Sequence, residues 1–221
     1  MVAAIDGPAG VGKSTVSRRS AEATGLLYVN SGNFYRAITF AALEAGCPPY
    51  DHAAVLAVAR SSRLQMSGSC LSLNGRFVEK LIHTDEVDAW VAAHSSIPEV
   101  REIVNERLRQ VAEGKDVLVE GRDIGTVVFP RADVKIFLDA DVATRASRRH
   151  SQGVSSLPLD EVEKSIAARD MVDRNKPAGR LQAAPDAVRI DTSHLTIDQV
   201  CDKVIEAILV KKNNPGDIRR I

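Results

Sequence analysis

Gly7-Pro8-Ala9-Gly10-Val11-Gly12-Lys13-Ser14 has the G-x-x-x-x-G-K-[ST] spacing of a phosphate-binding loop. Glycines let successive amide N–H groups turn inward as a nest for oxyanions, and the helix that follows adds partial positive charge. In such a loop Lys13 reaches the β- and γ-phosphates of a nucleoside triphosphate, and the Ser14 hydroxyl takes one position on Mg²⁺. The triphosphate-binding set read from this motif is Gly7, Pro8, Ala9, Gly10, Val11, Gly12, Lys13, Ser14 and Thr15. The competing reading is an ordinary strand-to-helix turn. Against it, the motif follows the apolar run "VAAID" and opens the amphipathic run "KSTVSRRSAEAT".

Such a loop says little about the acceptor. GTPase switches carry DxxG and NKxD; no Asp here is followed three residues later by Gly, and "NKPA" at 175–178 lacks the final Asp. What remains is a small kinase that hands the γ-phosphoryl to a bound acceptor. A second set of charges suits an anionic one. In "VLVEGRDIGTVVFP", residues 117–130, an apolar run breaks into Glu120, Gly121, Arg122 and Asp123. Charges at the end of an inner strand need partners. They either form a structural salt bridge or face a ligand. "VNSGNFYR" adds Ser31 and Arg36, and "SIPEVR" adds Arg101 at a helix start marked by Pro98. Guanidiniums grip phosphate oxygens bidentately, so these residues form a candidate cradle for a second phosphate.

Further along, Arg145, Arg148 and Arg149 share a helical face before the polar stretch "HSQGVSSLPLD", 150–160. They read either as a solvated stripe or as cations that close over a triphosphate during transfer. Arg169 and Asp173 stand four residues apart, and by spacing alone they are a surface ion pair. His83, His94 and the other histidines show no ligand spacing, and Trp90 reads as packing.

The elements that must position these groups form one pattern. "LLYV", "VLVEG", "VKIFLDA" and "VRIDT" are short apolar strands after "VAAID". Between them lie helical repeats such as Val100, Val104, Leu108 and Val111, and later Ile197, Val200, Val204 and Ile208. Continuous apolar strands alternating with amphipathic helices predict an α/β fold, a parallel sheet covered on both faces. "LQMSGSCLSLNGRFVEKL", 64–81, interrupts it: Asn74-Gly75 between strand-like runs predicts an antiparallel hairpin in an inserted subdomain, with "DEVDAWVAAHSS" as its helix.

The chain has 221 residues, enough for one domain with insertions, and 29 basic against 29 acidic groups. That balance gives no global field for nucleic acid or membrane. Cys47, Cys70 and Cys201 lack zinc or disulfide spacing and fit a reducing compartment. No apolar stretch has the length of a membrane span, and "MVAAIDG" lacks the regions of a signal peptide. A cytoplasmic monomer is the expectation.

"IDGPAGVGKSTVSR", "SGNFYRA", "NGRFVEKLIHTDEVD", "PEVR", "EGRDIGTVVFPRADVKIFLDA", "ARDMVDR" and "DTSHLTIDQV" occur together and in this order. Taken together, residues 2 to 208 resemble the bacterial cytidylate kinases, P-loop nucleoside monophosphate kinases that act on CMP and dCMP. The resemblance implies a P-loop kinase domain around a five-stranded parallel sheet, a nucleotide-acceptor insert at 62–95, a LID at 149–159 and a flexible tail at 212–221. It implies MgATP as donor and CMP or dCMP as acceptor. Lys13, Arg122, Arg149 and Arg169 would serve the transfer. Ser31, Arg36, Arg101, Arg122, Asp123, Arg169, Asp173 and Lys176 would hold CMP. Within that set Asp123 would meet the exocyclic amine of cytosine and Arg101 its acceptor side, while Arg169 and Asp173 would face the sugar. An ionised Asp repels the carbonyl that uracil carries in place of the amine. Ala92 stands where the family pattern has a serine, with Ser95 or Ser96 nearby as substitutes, and Lys176 stands where it has an arginine. A kinase for another acceptor (UMP with CMP, or a small metabolite) and a nucleotide-dependent switch are the alternatives.

Overall fold

The computed structural model describes residues 1–151, 158–176 and 178–213. It divides into two units, Met1–Tyr28 with Asp116–Ile221, and Val29–Lys115. In chain order the elements begin with β1 (Val2–Asp6), α1 (Lys13–Thr24), β2 (Leu27–Asn30), α2 (Ser31–Glu44) and α3 (His52–Ser61). They continue with β3 (Leu64–Ser67), β4 (Cys70–Leu73), β5 (Arg76–Phe77), α4 (Asp85–His94) and α5 (Pro98–Ala112). After these come β6 (Val117–Gly121), a π-turn at Ile124–Val128, β7 (Val134–Asp139), α6 (Val142–Ser151), α7 (Leu159–Asn175), β8 (Val188–Asp191) and α8 (Ile197–Asn213).

In the first unit the sheet order is β2-β6-β1-β7-β8. β1 runs parallel to both neighbours, with Ala4 beside Val119 on one side and Lys135 on the other. Both faces of β1 are covered, which is why its sequence is apolar without alternation. α1 and α8 close one face: Val16, Val200, Val204 and Ile208 pack with Ala3, Ile5, Leu118 and Ile136 in a single core cluster. Fully burying a side chain of this size stabilises the fold by roughly 1.5–3 kcal/mol, so the helical spacing on α8 is what holds it to the sheet.

β1 ends at Gly7 because nothing larger fits. A Cβ there would lie 2.2 Å from the carbonyl oxygen of Leu138, at φ 155°. The chain then turns into α1, whose N-cap is Gly12 and has no side-chain cap. The first amides of α1 therefore keep their donors for an external acceptor.

The second unit contains α2 to α5 and an antiparallel sheet ordered β3-β4-β5. Asn74 and Gly75 make the β4–β5 turn with φ of 51° and 84°, as the sequence predicts for a hairpin. β3, which pairs with β4 around Gly68-Ser69, and α3 are additions to the sequence reading. α3 had a signal: Asp51 accepts from the Ala54 amide at 2.9 Å as its cap, and Val55 and Ala59, one turn apart, are buried.

His94 belongs to this unit's core, 1 % exposed at the end of α4. Its Nε2 lies 3.1 Å from the Pro49 carbonyl oxygen, which can only accept, so Nε2 carries the proton. Nδ1 then accepts from the Thr39 hydroxyl at 3.1 Å. Burial holds the imidazole below its usual pKa. Between that lowered value and the unfolded value near 6.5, the unfolded chain binds more protons. The His94 contribution to stability is thus present above about pH 6.5 and lost as pH falls through the folded-state pKa. Urea midpoints measured from pH 7.5 to 5 should fall more steeply for the wild type than for His94→Gln; equal slopes would remove His94 as the cause.

α6 and α7 border the 149–159 stretch; residues 152–157 of that expectation lie outside the described residues, as do 214–221 of the tail. Lys212 and Asn213 finish α8, and Lys212 Nζ donates to the Thr24 carbonyl at 3.2 Å. Among the described residues no helix is long and apolar enough to cross a membrane.

Candidate active site

In the first unit the charged groups gather at the C-terminal ends of β1 and β6, the edge at which parallel sheets bind ligands. Lys13 is buried and its Nζ donates to the Pro8 carbonyl at 2.7 Å. Burial pushes its pKa well below that of an ordinary lysine; Arg122 and Arg169 add to this, while Glu120 and Asp6 oppose it. Val11 anchors the loop in the core cluster, and Ser14 and Thr15 are exposed at the start of α1.

Arg122 links two parts of this edge. Its Nη1 donates to the Gly7 carbonyl at 2.7 Å, and its Nε to Asp173 Oδ2 at 3.2 Å. Asp173 also pairs with Lys176 at 3.0 Å. Burial would raise the Asp173 carboxyl, but Arg122 and Lys176 outweigh it and hold it below the usual range. The surface-pair reading of Asp173 is corrected: the residue is 6 % exposed, and its oxygens serve Arg122 and Lys176. Arg169 is exposed, with its charge felt by Lys13, Arg122 and Asp173.

Asp123 is buried. Two further buried carboxylates lie here: Glu120, which the sequence marks together with Arg122 and Asp123, and Asp6, which sequence reasoning left out. Asp6 accepts from the Ile124 and Gly125 amides at 2.8 and 2.7 Å, and its pKa is raised by burial to about 6. Glu120 accepts from the Tyr28 hydroxyl at 2.5 Å. The available signal for Asp6 was positional: it ends an inner strand that pairs in register with β6, Ile5 beside Glu120 and Asp6 beside Gly121.

The arginines of α6 do not form one surface stripe. Arg145 is 2 % exposed and makes a two-pronged ion pair with Asp170 of α7. It also donates to the carbonyls of Ala140 at 3.0 Å and Ala9 at 3.1 Å. Arg148 donates to Thr192 at its hydroxyl and, at 2.6 Å, its carbonyl. Arg149, half-buried, has no ion-pair partner among the described residues.

In the second unit Ser31 is the buried first residue of α2. Arg36 follows on the same helix, donates to the Ile82 carbonyl at 3.1 Å and pairs with Asp88. Arg101 is buried, donates to the Ser95 carbonyl at 3.1 Å and lies 5.2 Å from the centre of the Tyr35 ring. The Ser95 and Ser96 hydroxyls both donate to the Ala92 carbonyl, at 3.1 and 2.7 Å, so their protons are committed to the backbone.

Residues 3–210 match the sequence profile of the family described as cytidylate kinase. The chain belongs to the cytidylate kinase family. It is 44 % identical to the cytidylate kinase of Mycobacterium avium over 94 % of this chain and 95 % of that one. It is 39 % identical to the cytidylate kinase of Borrelia hermsii over 96 % of this chain and all of that one. A solved shikimate kinase from Bacteroides thetaiotaomicron shares the fold at 12 % identity, with a TM-score of 0.50 over 95 % of this chain and 98 % of that one. Membership of the cytidylate kinase family makes the chain an ATP-dependent nucleoside monophosphate kinase and sets aside the nucleotide-switch alternative.

Proposed function

We propose that this member of the cytidylate kinase family moves the γ-phosphoryl of ATP to CMP or dCMP in one in-line step. An acceptor phosphate oxygen attacks the γ-phosphorus, the bond to the β–γ bridging oxygen breaks, and CDP or dCDP and ADP result. The amides of Gly7 and of Ala9 to Ser14 and the Lys13 ammonium hold the donor phosphates, with Pro8 shaping the loop and Thr15 continuing it into α1. Arg36 and Arg122 grip the acceptor phosphate beside Ser31, Arg101 and Asp123 read the base, and Asp173 and Arg169, which also serves the transfer, face the sugar, with Lys176 paired to Asp173. Arg149 turns to the transferring group. Arg145 and Arg148 already have protein partners, which supports Arg149 among the three.

The donor set suits Mg²⁺ carried in with ATP. Among the described residues no three His, Cys, Asp or Glu side chains cluster as an all-protein cage, while the Ser14 hydroxyl is exposed at the head of α1. Mg²⁺ typically keeps waters and substrate phosphates as most of its ligands. When bound there it would neutralise charge on the β- and γ-oxygens. Catalysis by the chain itself is positioning and electrostatic stabilisation, with no covalent intermediate.

The observation that most supports this reading is Arg122, one guanidinium joined both to the first carbonyl of the phosphate loop and to Asp173. Its position suits a cation shared by donor and acceptor phosphates. Three free cysteines support a reducing cytoplasm as the compartment, and the chain is proposed to act as a monomer. Incubation of the protein with ATP and CMP, dCMP, UMP, AMP or shikimate tests the acceptor. CDP and dCDP should form at rates about 10²-fold or more above UDP, because a buried carboxylate that pairs with an amine rejects a carbonyl strongly. Comparable UMP turnover would overturn the role of Asp123; phosphorylation of shikimate alone would overturn the acceptor class.

A further inference from the structure

Asp6 has no place in that scheme, yet it ends the central strand, immediately before the phosphate loop, and is 4 % exposed. Its two carboxylate oxygens each take one backbone amide, Ile124 at 2.8 Å and Gly125 at 2.7 Å. Those amides follow directly on Arg122 and Asp123. From the other side, the Asp123 carbonyl takes the Val127 and Val128 amides at 2.8 and 3.2 Å. The Arg122 guanidinium returns to the Gly7 carbonyl, one residue beyond Asp6. The turn bearing Arg122 and Asp123 is therefore clipped to the end of β1 by two bonds to the carboxylate and one to the neighbouring carbonyl.

Space around the clip is tight. A Cβ on Gly125 would lie 3.4 Å from Asp6 Oδ2 and 3.3 Å from Lys135 Cδ, so a side chain there makes the lysine stem or the carboxylate yield by a few tenths of an ångström. Keeping a carboxylate in this buried position is costly, as its pKa near 6 records. A neutral group would be easier to bury. An ionised carboxylate supplies two acceptors at once, which an amide side chain does not.

We propose that Asp6 is a positioning residue for the acceptor: it fixes the backbone of 122–125 so that Arg122 and Asp123 meet the phosphate and base of CMP. The inference rests on the acceptor roles given to Arg122 and Asp123 above. In Asp6→Asn one oxygen becomes an NH₂ facing a loop N–H, so one of the two bonds turns into a donor–donor contact. The loss should appear in acceptor binding and base choice more than in donor binding.

The test is steady-state kinetics of Asp6→Asn, Gly125→Ala and Asp123→Asn, with melting temperatures measured alongside. For Asp6→Asn, KM for CMP should rise about tenfold while KM for ATP changes by less than about twofold, and the CMP-over-UMP preference should shrink. Gly125→Ala, which leaves the carboxylate in place and only crowds it, should move KM for CMP in the same direction by a smaller factor. A folded Asp6→Asn with unchanged KM for CMP overturns the proposal. So does an equal rise in both KM values, which marks general loosening, or failure of both variants to fold. If Asp123→Asn impairs CMP use and Asp6→Asn does not, Asp6 alone is removed from the scheme; if Asp123→Asn is itself without effect, the acceptor reading falls and this inference with it.

Discussion

Lys13→Met should lower kcat by about 10² to 10³ while leaving the melting temperature unchanged or higher. The two halves of that expectation have one origin. The ammonium is buried beside Arg122 and, among the described residues, hydrogen-bonds to the Pro8 carbonyl alone, with Glu120 and Asp6 in its field. Burial and a like charge disfavour its charged form, so removing it relieves a cost in the folded protein. In the proposed transfer the same charge would face the oxygens of the moving phosphoryl, where no apolar side chain replaces it. Single-turnover kinetics with saturating ATP and CMP separate the chemical step from binding. A kcat within tenfold of wild type would show that the loop amides and arginines suffice, and a large fall in melting temperature would make Lys13 a structural residue.

The second large effect concerns stability. Arg145→Ala or Asp170→Asn should each cost about 3–5 kcal/mol, because either change leaves a buried charge without its partner. At roughly 2–4 °C per kcal/mol for a protein of this size, each variant should melt on the order of 10 °C lower. The double variant Arg145→Met/Asp170→Leu should recover part of the loss and no more. It removes both buried charges, but the Ala9 and Ala140 carbonyls lose the donors Arg145 supplied. A double-mutant cycle by calorimetry reads the coupling directly, and additive single effects would show that the pair is not a unit. Because Arg145 holds Ala9, the single variants should also weaken ATP binding, which links the α6–α7 contact to the phosphate loop.

Reading the sequence reached as far as local signals reach. The phosphate loop, Gly25 as the end of α1, the inner strands and the Asn74-Gly75 turn depend on residues close together in the chain, and all are found in the structure. Of the two readings of the α6 arginines, the solvated stripe fails at Arg145, because a helix face with three arginines looks solvated whatever it packs against. Its partner Asp170 is 25 residues away, and no spacing rule joins them. Asp173 was placed with Arg169 by helical spacing, whereas packing gave it to Arg122, 51 residues earlier. Asp6 escaped for the same reason. An acidic residue at a strand end becomes a site residue only when the register of β1 and β6 is known. The exchange of Ala92 for serine was visible, but the remedy offered for it was not: the Ser95 and Ser96 hydroxyls cap the turn after α4.

The position of β1 in the sheet has one more consequence. It is the middle strand of five, and neighbours saturate its hydrogen-bonding groups on either flank. Segments of that kind open last when a protein exchanges its amides with solvent, whereas rim strands such as β2 and β8 fray first. The nucleotide cradle is thus rooted in the slowest-opening part of its unit, and fluctuation at the rims leaves that root undisturbed.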